Sequence, residues 1–136
     1  MTFLEHSNVA VKKQFVAAVF AGDHDTIKRL AHHDFELHEG SSTPFVGIYR
    51  GADGFIEFLG IFGATYDIKR LEETAAFASE NPDRMVFQFE LEAVFRSAGT
   101  EFSSSLIEAW QFKDGKVAKI SAHYFNSPFR LSADLP

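Results

Sequence analysis

The chain contains no cysteine among its 136 residues. Disulfide bonds, a thiolate nucleophile and a cysteine-ligated metal are therefore excluded. Proline is scarce too, and each of the four prolines falls in a predicted loop or at the end of the sequence. The sequence shows neither an internal repeat nor a low-complexity linker. We therefore expect residues 1–136 to form a single domain.

A basic stripe is also missing. The formal net charge is −6, which argues against nucleic acid as a partner. Lys12 and Lys13 are interpreted as a solvated pair on a helix surface. No apolar run approaches the roughly 20 residues that cross a bilayer, and the first residues lack the pattern of a signal peptide. We expect a cytoplasmic protein with no membrane partner.

Phenylalanine is unusually abundant, with 16 residues in this short chain. Bulky rings without polar atoms often line the pockets that take apolar ligands. The alternative is a filled core that happens to be rich in phenylalanine. Composition leaves both interpretations open.

Helical and strand periodicities divide the chain into two parts. The predicted helices span about 9–21, capped by Ser7 or Asn8, about 24–32, capped by Asp23, and a segment that begins near 51–54. The predicted strands are 35–38, 67–78, 85–96, 102–112 and 117–125, with turns at 81–83, 97–99 and 114–115. This order predicts an α+β fold in which about three helices cover the concave face of a curved antiparallel sheet and enclose a cone-shaped pocket.

Four motifs resemble the SnoaL-like branch of the nuclear-transport-factor-2-like superfamily, whose relatives include ketosteroid isomerase, scytalone dehydratase and the polyketide cyclases. The motifs are Phe20-Ala21-Gly22-Asp23, then His38-Glu39 with Pro44-Phe45, Tyr49-Arg50-Gly51 and Gly54-Phe55, then the segment from Trp110 to Val117, and finally Tyr124-Phe125-Asn126. The resemblance runs from about Val9 to Pro128. It implies the fold and a homodimer that pairs through the outer face of the sheet, but this fold hosts many reactions.

Glu39 is the first catalytic candidate. The resemblance places it near the proton-abstracting carboxylate of ketosteroid isomerase. At the rim of a phenylalanine-lined pocket, desolvation raises the pKa of a carboxyl group and suits a general base. The alternative is an exposed loop glutamate. Strand alternation places His38 and Glu39 on opposite faces, so only one of them points inward unless the strand bulges.

Glu108 is the second candidate because it shares a strand face with Leu106 and Trp110. If that face is the inner one, a carboxylate lies in an apolar wall, which is typical of functional sites. The alternative is a position at the edge of the sheet, or an ion pair with an arginine.

Tyr124 and Asn126 are predicted to point inward from the last strand. Tyr124 is either a hydrogen-bond donor to a substrate oxygen or a structural ring. Asn126 stands where many members of the resembled family have aspartate. Because asparagine takes no proton at neutral pH, it argues against cyclase-type chemistry.

The run His32-His33-Asp34 offers three adjacent side chains of metal-ligating types. The two histidines are predicted to close the second helix, where adjacent side chains diverge. We therefore predict neither a metal site nor a cofactor.

Three functions remain open. The first is a cofactor-free isomerase, cyclase or dehydratase acting on a small hydrophobic ligand, with Glu39 or Glu108 as the base and Tyr124 or His38 as the hydrogen-bond partner. The second is a binding module for a small apolar ligand, and the third is a structural homodimer module. The predicted ligand contacts are Phe15, Phe45, Tyr49, Phe58, Phe62, Phe87, Phe89, Leu106, Trp110 and Asn126.

Overall fold

A computed structural model describes residues 7–41 and 43–126. This part of the chain forms three helices and six strands, which confirms the predicted α+β class. The elements are α1 (Ser7–Ala21), α2 (His24–Leu30), β1 (Ala31–Glu39), β2 (Gly47–Arg50), α3 (Gly51–Thr65), β3 (Tyr66–Ala78), β4 (Arg84–Phe95), β5 (Thr100–Lys113) and β6 (Lys116–Tyr124). No helix in these ranges is long and apolar enough to span a membrane.

The six strands form one sheet in the order β2-β1-β6-β5-β4-β3. Four of the five neighbouring pairs are antiparallel, but β1 and β6 run parallel, so the sheet is mixed. The difference from the predicted antiparallel sheet arises because β1 comes early in the chain and lies beside the last strand. A parallel pair needs a long crossover, which local turn signals cannot reveal. Strand β2 was not predicted, since four residues are too few to show an alternation.

The predicted helix ends are confirmed at Gly22 and Asp23 but not at Ser7 and Asn8. Gly22 ends α1 with a φ of 67°, and the Asp23 side chain accepts a hydrogen bond from the Thr26 backbone N–H at 3.2 Å. Ser7 and Asn8 are not caps, because both lie inside α1. Asn8 is buried instead, and its Nδ2 donates to Asp83 Oδ1 at 2.9 Å, which attaches the start of α1 to the turn before β4.

Helix α2 ends at Leu30, so the prediction that His32 and His33 close a helix is wrong. Ala31 already has extended backbone angles and is paired with Val117 of β6. The hydrogen bonds gained by joining the sheet outweigh the weak helical preference of this segment.

The β5–β6 hairpin follows its sequence signal closely. Asp114 and Gly115 have φ values of 53° and 72°, as a two-residue type I′ turn requires. The turn sets the pairing of Lys113 with Lys116, and a register shift between Gln111 and Phe112 then sets which side chains face each other further along the inner face.

Aromatic rings fill much of the space between the helices and the sheet. Phe15 of α1 is 1% exposed, and its ring centroid lies 5.2 Å from that of Phe55 and 5.6 Å from that of Trp110. A second cluster lies around Phe45, whose centroid is 5.4 Å from that of Phe58 and 5.5 Å from that of Tyr66. The core is therefore rich in phenylalanine, as composition suggested.

Candidate functional site

Glu39 and Glu108 lie in one row across the inner face of the sheet. Glu39 of β1 is paired with Ala122 of β6, Ala122 with Glu108 of β5, and Glu108 with Phe87 of β4. Directly paired residues share a face, and this one is the inner face because Ala122 and Phe87 are buried. The two glutamates are two strand spacings apart, about 10 Å between Cα atoms. The small alanine between them leaves both carboxyl groups room to approach each other.

Glu39 has the most unusual environment in the site. It is 5% exposed, and its Oε1 is the one buried side-chain oxygen or nitrogen without a hydrogen-bond partner in the described ranges. Desolvation, and secondarily the charge of Glu108, raises the pKa of Glu39 to about 9, although a hydrogen bond from Tyr124 opposes the shift. Glu39 is therefore protonated at neutral pH. Buried polar atoms without a partner are rare in folded proteins, so this atom needs an explanation.

Glu108 is held differently. Its Oε1 accepts a hydrogen bond from Trp110 Nε1 at 2.9 Å. Burial raises the pKa of Glu108 to about 7, the Trp110 bond opposes that rise, and the charges of Glu73 and Lys12 act in opposite directions on it. Because their environments push the two carboxyl pKa values apart, Glu39 keeps its proton at neutral pH while Glu108 is near the midpoint of its titration.

Tyr124 completes the polar group. Its hydroxyl donates a hydrogen bond to the Glu39 carboxyl, and its ring lies 6.3 Å from that of Phe45 between centroids. Burial, followed by the charges of Glu39 and Glu108, raises the pKa of Tyr124 well above its usual value. The phenol therefore stays neutral and orients Glu39.

Lys12 is buried, so the prediction that it is solvated is wrong. It forms an ion pair with Glu73 of β3 and places Nζ 4.3 Å from the centroid of the Phe87 ring. The stripe of α1 that faces the sheet contains Asn8, Lys12 and Phe15, whereas Phe20 is 61% exposed. The spacing of these three positions was the available signal, but a lysine on an apolar stripe is normally assigned to solvent.

His38 and Asn126 do not join the group. His38 is half-buried on the opposite face from Glu39, as alternation predicted, and its Nε2 lies 2.9 Å from Glu36 Oε1. The predicted inward orientation of Asn126 is wrong. Strand β6 ends at Tyr124, and the exposed Asn126 donates from Nδ2 to the Ser103 carbonyl at 2.9 Å.

The remaining predicted contacts are walls of the same interior. Seven of them are buried and two are half-buried: Phe15, Phe45, Phe58, Phe87, Phe89, Leu106 and Trp110, and then Tyr49 and Phe62. Trp110 and Phe87 border Glu108 directly, through a hydrogen bond and through strand pairing. Phe15 is enclosed by other rings and belongs to the packed core.

A groove of about 460 Å³ lies where β1 ends. Its lining includes Glu39, Gly40 and Ala122, together with Val46 and Ile48 near and on the edge strand β2. The lining also includes His38, Ser121 and His123, which lie on the face opposite Glu39, so the groove lies largely on the outer face of the sheet and does not open onto the carboxyl row.

The SnoaL-like domain family matches residues 13–120 of this chain. The chain belongs to that family. None of the curated proteins matches it in sequence.

Solved structures show the same fold. The NTF2-like protein from Burkholderia thailandensis E264 superposes with a TM-score of 0.80 at 17% identity, over 96% of this chain and 99% of that chain. The Δ5-3-ketosteroid isomerase from Mycobacterium sp. gives a TM-score of 0.66 at 19% identity, over 86% and 92%. RV0760c from Mycobacterium tuberculosis, in complex with estradiol-17β-hemisuccinate, gives 0.66 at 14% identity, over 88% and 94%. At these identities the similarity establishes the fold alone.

The hydrogen bonds of His32 argue against a metal site formed by His32, His33 and Asp34 in this SnoaL-like domain. Their ligand atoms lie within 4.8 Å of one another. However, His32 Nδ1 accepts a hydrogen bond from the Asp34 backbone N–H at 3.0 Å, so the ring proton is on Nε2, which lies 3.4 Å from Asp114 Oδ2. Neither nitrogen of His32 has a free lone pair for a metal ion.

Proposed function

We propose that this SnoaL-like domain is a cofactor-free enzyme that transfers a proton on a small, neutral, apolar ligand containing a carbonyl group. The observation that carries the proposal is the buried, unpartnered Oε1 of Glu39. A protonated Glu39 presents this atom as a hydrogen-bond donor, and a carbonyl oxygen is the simplest partner for it. The ionised Glu108 of the same row is the group that accepts a proton.

The reaction follows from the two protonation states. Glu108 removes a proton from the carbon next to the carbonyl group, so a C–H bond breaks and an O–H bond forms on the carboxyl group. Glu39 donates its hydrogen bond to the oxygen that becomes negative, while Tyr124 holds Glu39 in place. The ligand must carry a C=C bond next to the α-carbon: Glu108 then returns the proton to the far carbon of that bond, and the double bond moves into conjugation with the carbonyl group. The net result is an isomerisation that consumes no cofactor.

Two further observations support a ligand site in this interior. Glu108 and Tyr124 are half-buried, yet desolvation is the main cause of their raised pKa values. Side chains that line an enclosed space combine these two properties. Two proteins of the same fold are a ketosteroid isomerase and a protein in complex with a steroid ester. A flat, fused-ring ketone is therefore the ligand class that we favour.

The close packing of the aromatic rings supports a second candidate, a binding module without turnover. Phe15, Phe35 and Phe55 contact one another at 5.2–6.3 Å between centroids, which leaves little free space on that side of the row. In this case the carboxyl groups orient a ligand and no bond changes.

Exchange of carbon-bound protons separates the two candidates even while the natural substrate is unidentified. The protein is incubated in D₂O with a panel of cyclic and fused-ring ketones, and the loss of the α-proton signals is followed by ¹H NMR. We expect exchange above the buffer rate for at least one ketone, and none with the double variant Glu39→Gln/Glu108→Gln. A panel member that binds in a parallel titration but exchanges at the buffer rate indicates a binding module.

We also propose that the outer face of the sheet pairs two copies of the chain. Outward positions of β4 and β5 mix apolar and polar residues, among them Val86, Gln88, Glu90 and Ile107, as in many non-obligate interfaces. Light scattering at micromolar concentration should give twice the chain mass of 15.2 kDa, and Ile107→Asp should reduce it to one chain. A wild-type protein that stays at one chain mass contradicts this proposal.

A further inference from the structure

The ion pair between Lys12 and Glu73 lies next to the proposed base. Lys12 extends from α1 onto the Phe87 ring, with Nζ 4.3 Å from its centroid. Phe87 is directly paired with Glu108 on the neighbouring strand, so the cation and the carboxylate flank the same ring. Glu73 of β3, paired with Phe89, provides the counter-charge. Lys12 is 5% exposed, which is unusual for a lysine.

We propose that Lys12 and Glu73 are positioning residues that set the charge state of Glu108 by acting on it in opposite directions. Glu73 favours the protonated form of Glu108, and Lys12 favours the carboxylate. Because the two charges offset each other, the burial of Glu108 can keep it near the midpoint of its titration at neutral pH, where a group that takes and returns a proton is most effective. The functional part of this inference rests on the proposed role of Glu108 as the base.

In the described ranges, four charged or titratable side chains on four different elements act on Glu108 or are acted on by it. They are Lys12 on α1, Glu73 on β3, Glu39 on β1 and Tyr124 on β6, and Trp110 of its own strand adds a neutral donor. The charge of Glu73 raises the pKa of Glu108 more than the charge of Lys12 lowers it. Lys12 is buried and the Glu73 side chain is 34% exposed, so the charge of Lys12 is screened less than a surface charge and that of Glu73 is screened in part.

The two single variants distinguish this role from a purely structural one. Lys12→Met removes the attraction, so the pKa of Glu108 should rise by about half a unit or more, while Glu73→Gln should lower it by a similar amount. If the ion pair only stabilises the fold, the two variants should not shift the pKa of Glu108 in opposite directions, because both variants break the same contact. The double variant Lys12→Met/Glu73→Gln removes both charges together, which a fold usually tolerates better than one unpaired charge.

The measurement is a ¹³C NMR titration of the glutamate carboxyl carbons of the whole chain, with Lys13→Met and Glu72→Gln as exposed neighbouring controls. We expect opposite shifts of Glu108 in the two single variants, a value near the wild type in the double variant, and no shift in the controls. Shifts in the same direction, or none, overturn the proposal. Because the titration needs no substrate, opposite shifts in a protein without proton-exchange activity would uphold this inference and refute the proposed function.

Discussion

Glu108→Gln is expected to lower the rate of α-proton exchange by about 10²–10⁴-fold, the usual contribution of a general base. The amide oxygen can still accept the hydrogen bond that Trp110 Nε1 now donates at 2.9 Å, so the side chain keeps its position and loses only its ability to take a proton. The rate is measured by ¹H NMR in D₂O with the ketone that exchanges fastest in the wild type. Ligand affinity should change much less than the rate.

Glu101→Gln is the matched control for this variant, because Glu101 is exposed on the same strand. Its exchange rate should equal that of the wild type. If Glu108→Gln also exchanges within twofold of the wild-type rate, Glu108 is not the base and the proposed mechanism is wrong.

Glu39→Gln is expected to make the protein increasingly more stable than the wild type as the pH rises. The pKa of Glu39 is raised from 4.5 to about 9 in the folded state, so the stability contributed by its neutral form is fully present below 4.5 and is lost as the pH rises through 9. Glutamine is neutral at every pH and does not incur this loss. Between pH 5 and pH 9 the difference in unfolding free energy should grow by about 2–4 kcal/mol in favour of the variant.

Urea denaturation at pH 5, 7 and 9 measures this difference. Glu80→Gln, in the exposed turn before β4, is the control, and its stability should run parallel to that of the wild type across the range. A Glu39→Gln curve that also runs parallel would show that Glu39 is solvated or paired in solution, contrary to its buried position at the end of β1.

Strand periodicity predicted the inward candidates because it depends only on neighbouring residues. Alternation placed Leu106, Glu108 and Trp110 on one face, and His38 opposite Glu39, and the structure has these orientations. Alternation failed at Asn126 because the strand ends two residues earlier, and the end of a strand is set by tertiary hydrogen bonds that the pattern does not contain.

The placement of Glu39 and Glu108 in one row of the sheet could not be predicted from the sequence. It depends on the parallel pairing of β1 with β6, which joins residues more than 80 positions apart and which local turn signals do not reveal. Once that pairing exists, the Asp114-Gly115 turn and the register shift between Gln111 and Phe112 together bring Ala122 between the two glutamates. Sequence reasoning therefore found each carboxyl group separately, but not the row.

The inward position of Lys12 was missed for a different reason. Its burial is possible only because Glu73 supplies a counter-charge from a strand 61 residues further along the chain. The glutamates at 72 and 73 blurred the alternation of β3, yet Glu73 lies on the inner side because it pairs with the buried Phe89. The inward positions of Lys12 and Glu73 can therefore be predicted only if the two residues are known to form an ion pair.

The most direct test of the proposed site is the pKa of Glu39 in the wild-type protein, measured by ¹³C NMR of its carboxyl carbon and assigned with Glu39→Gln. We predict that Glu39 remains protonated at neutral pH and titrates at about 9, whereas Glu108 titrates at about 7. A Glu39 that titrates near 4.5, as a solvated glutamate does, would contradict the claim that Glu39 is held protonated in a desolvated site.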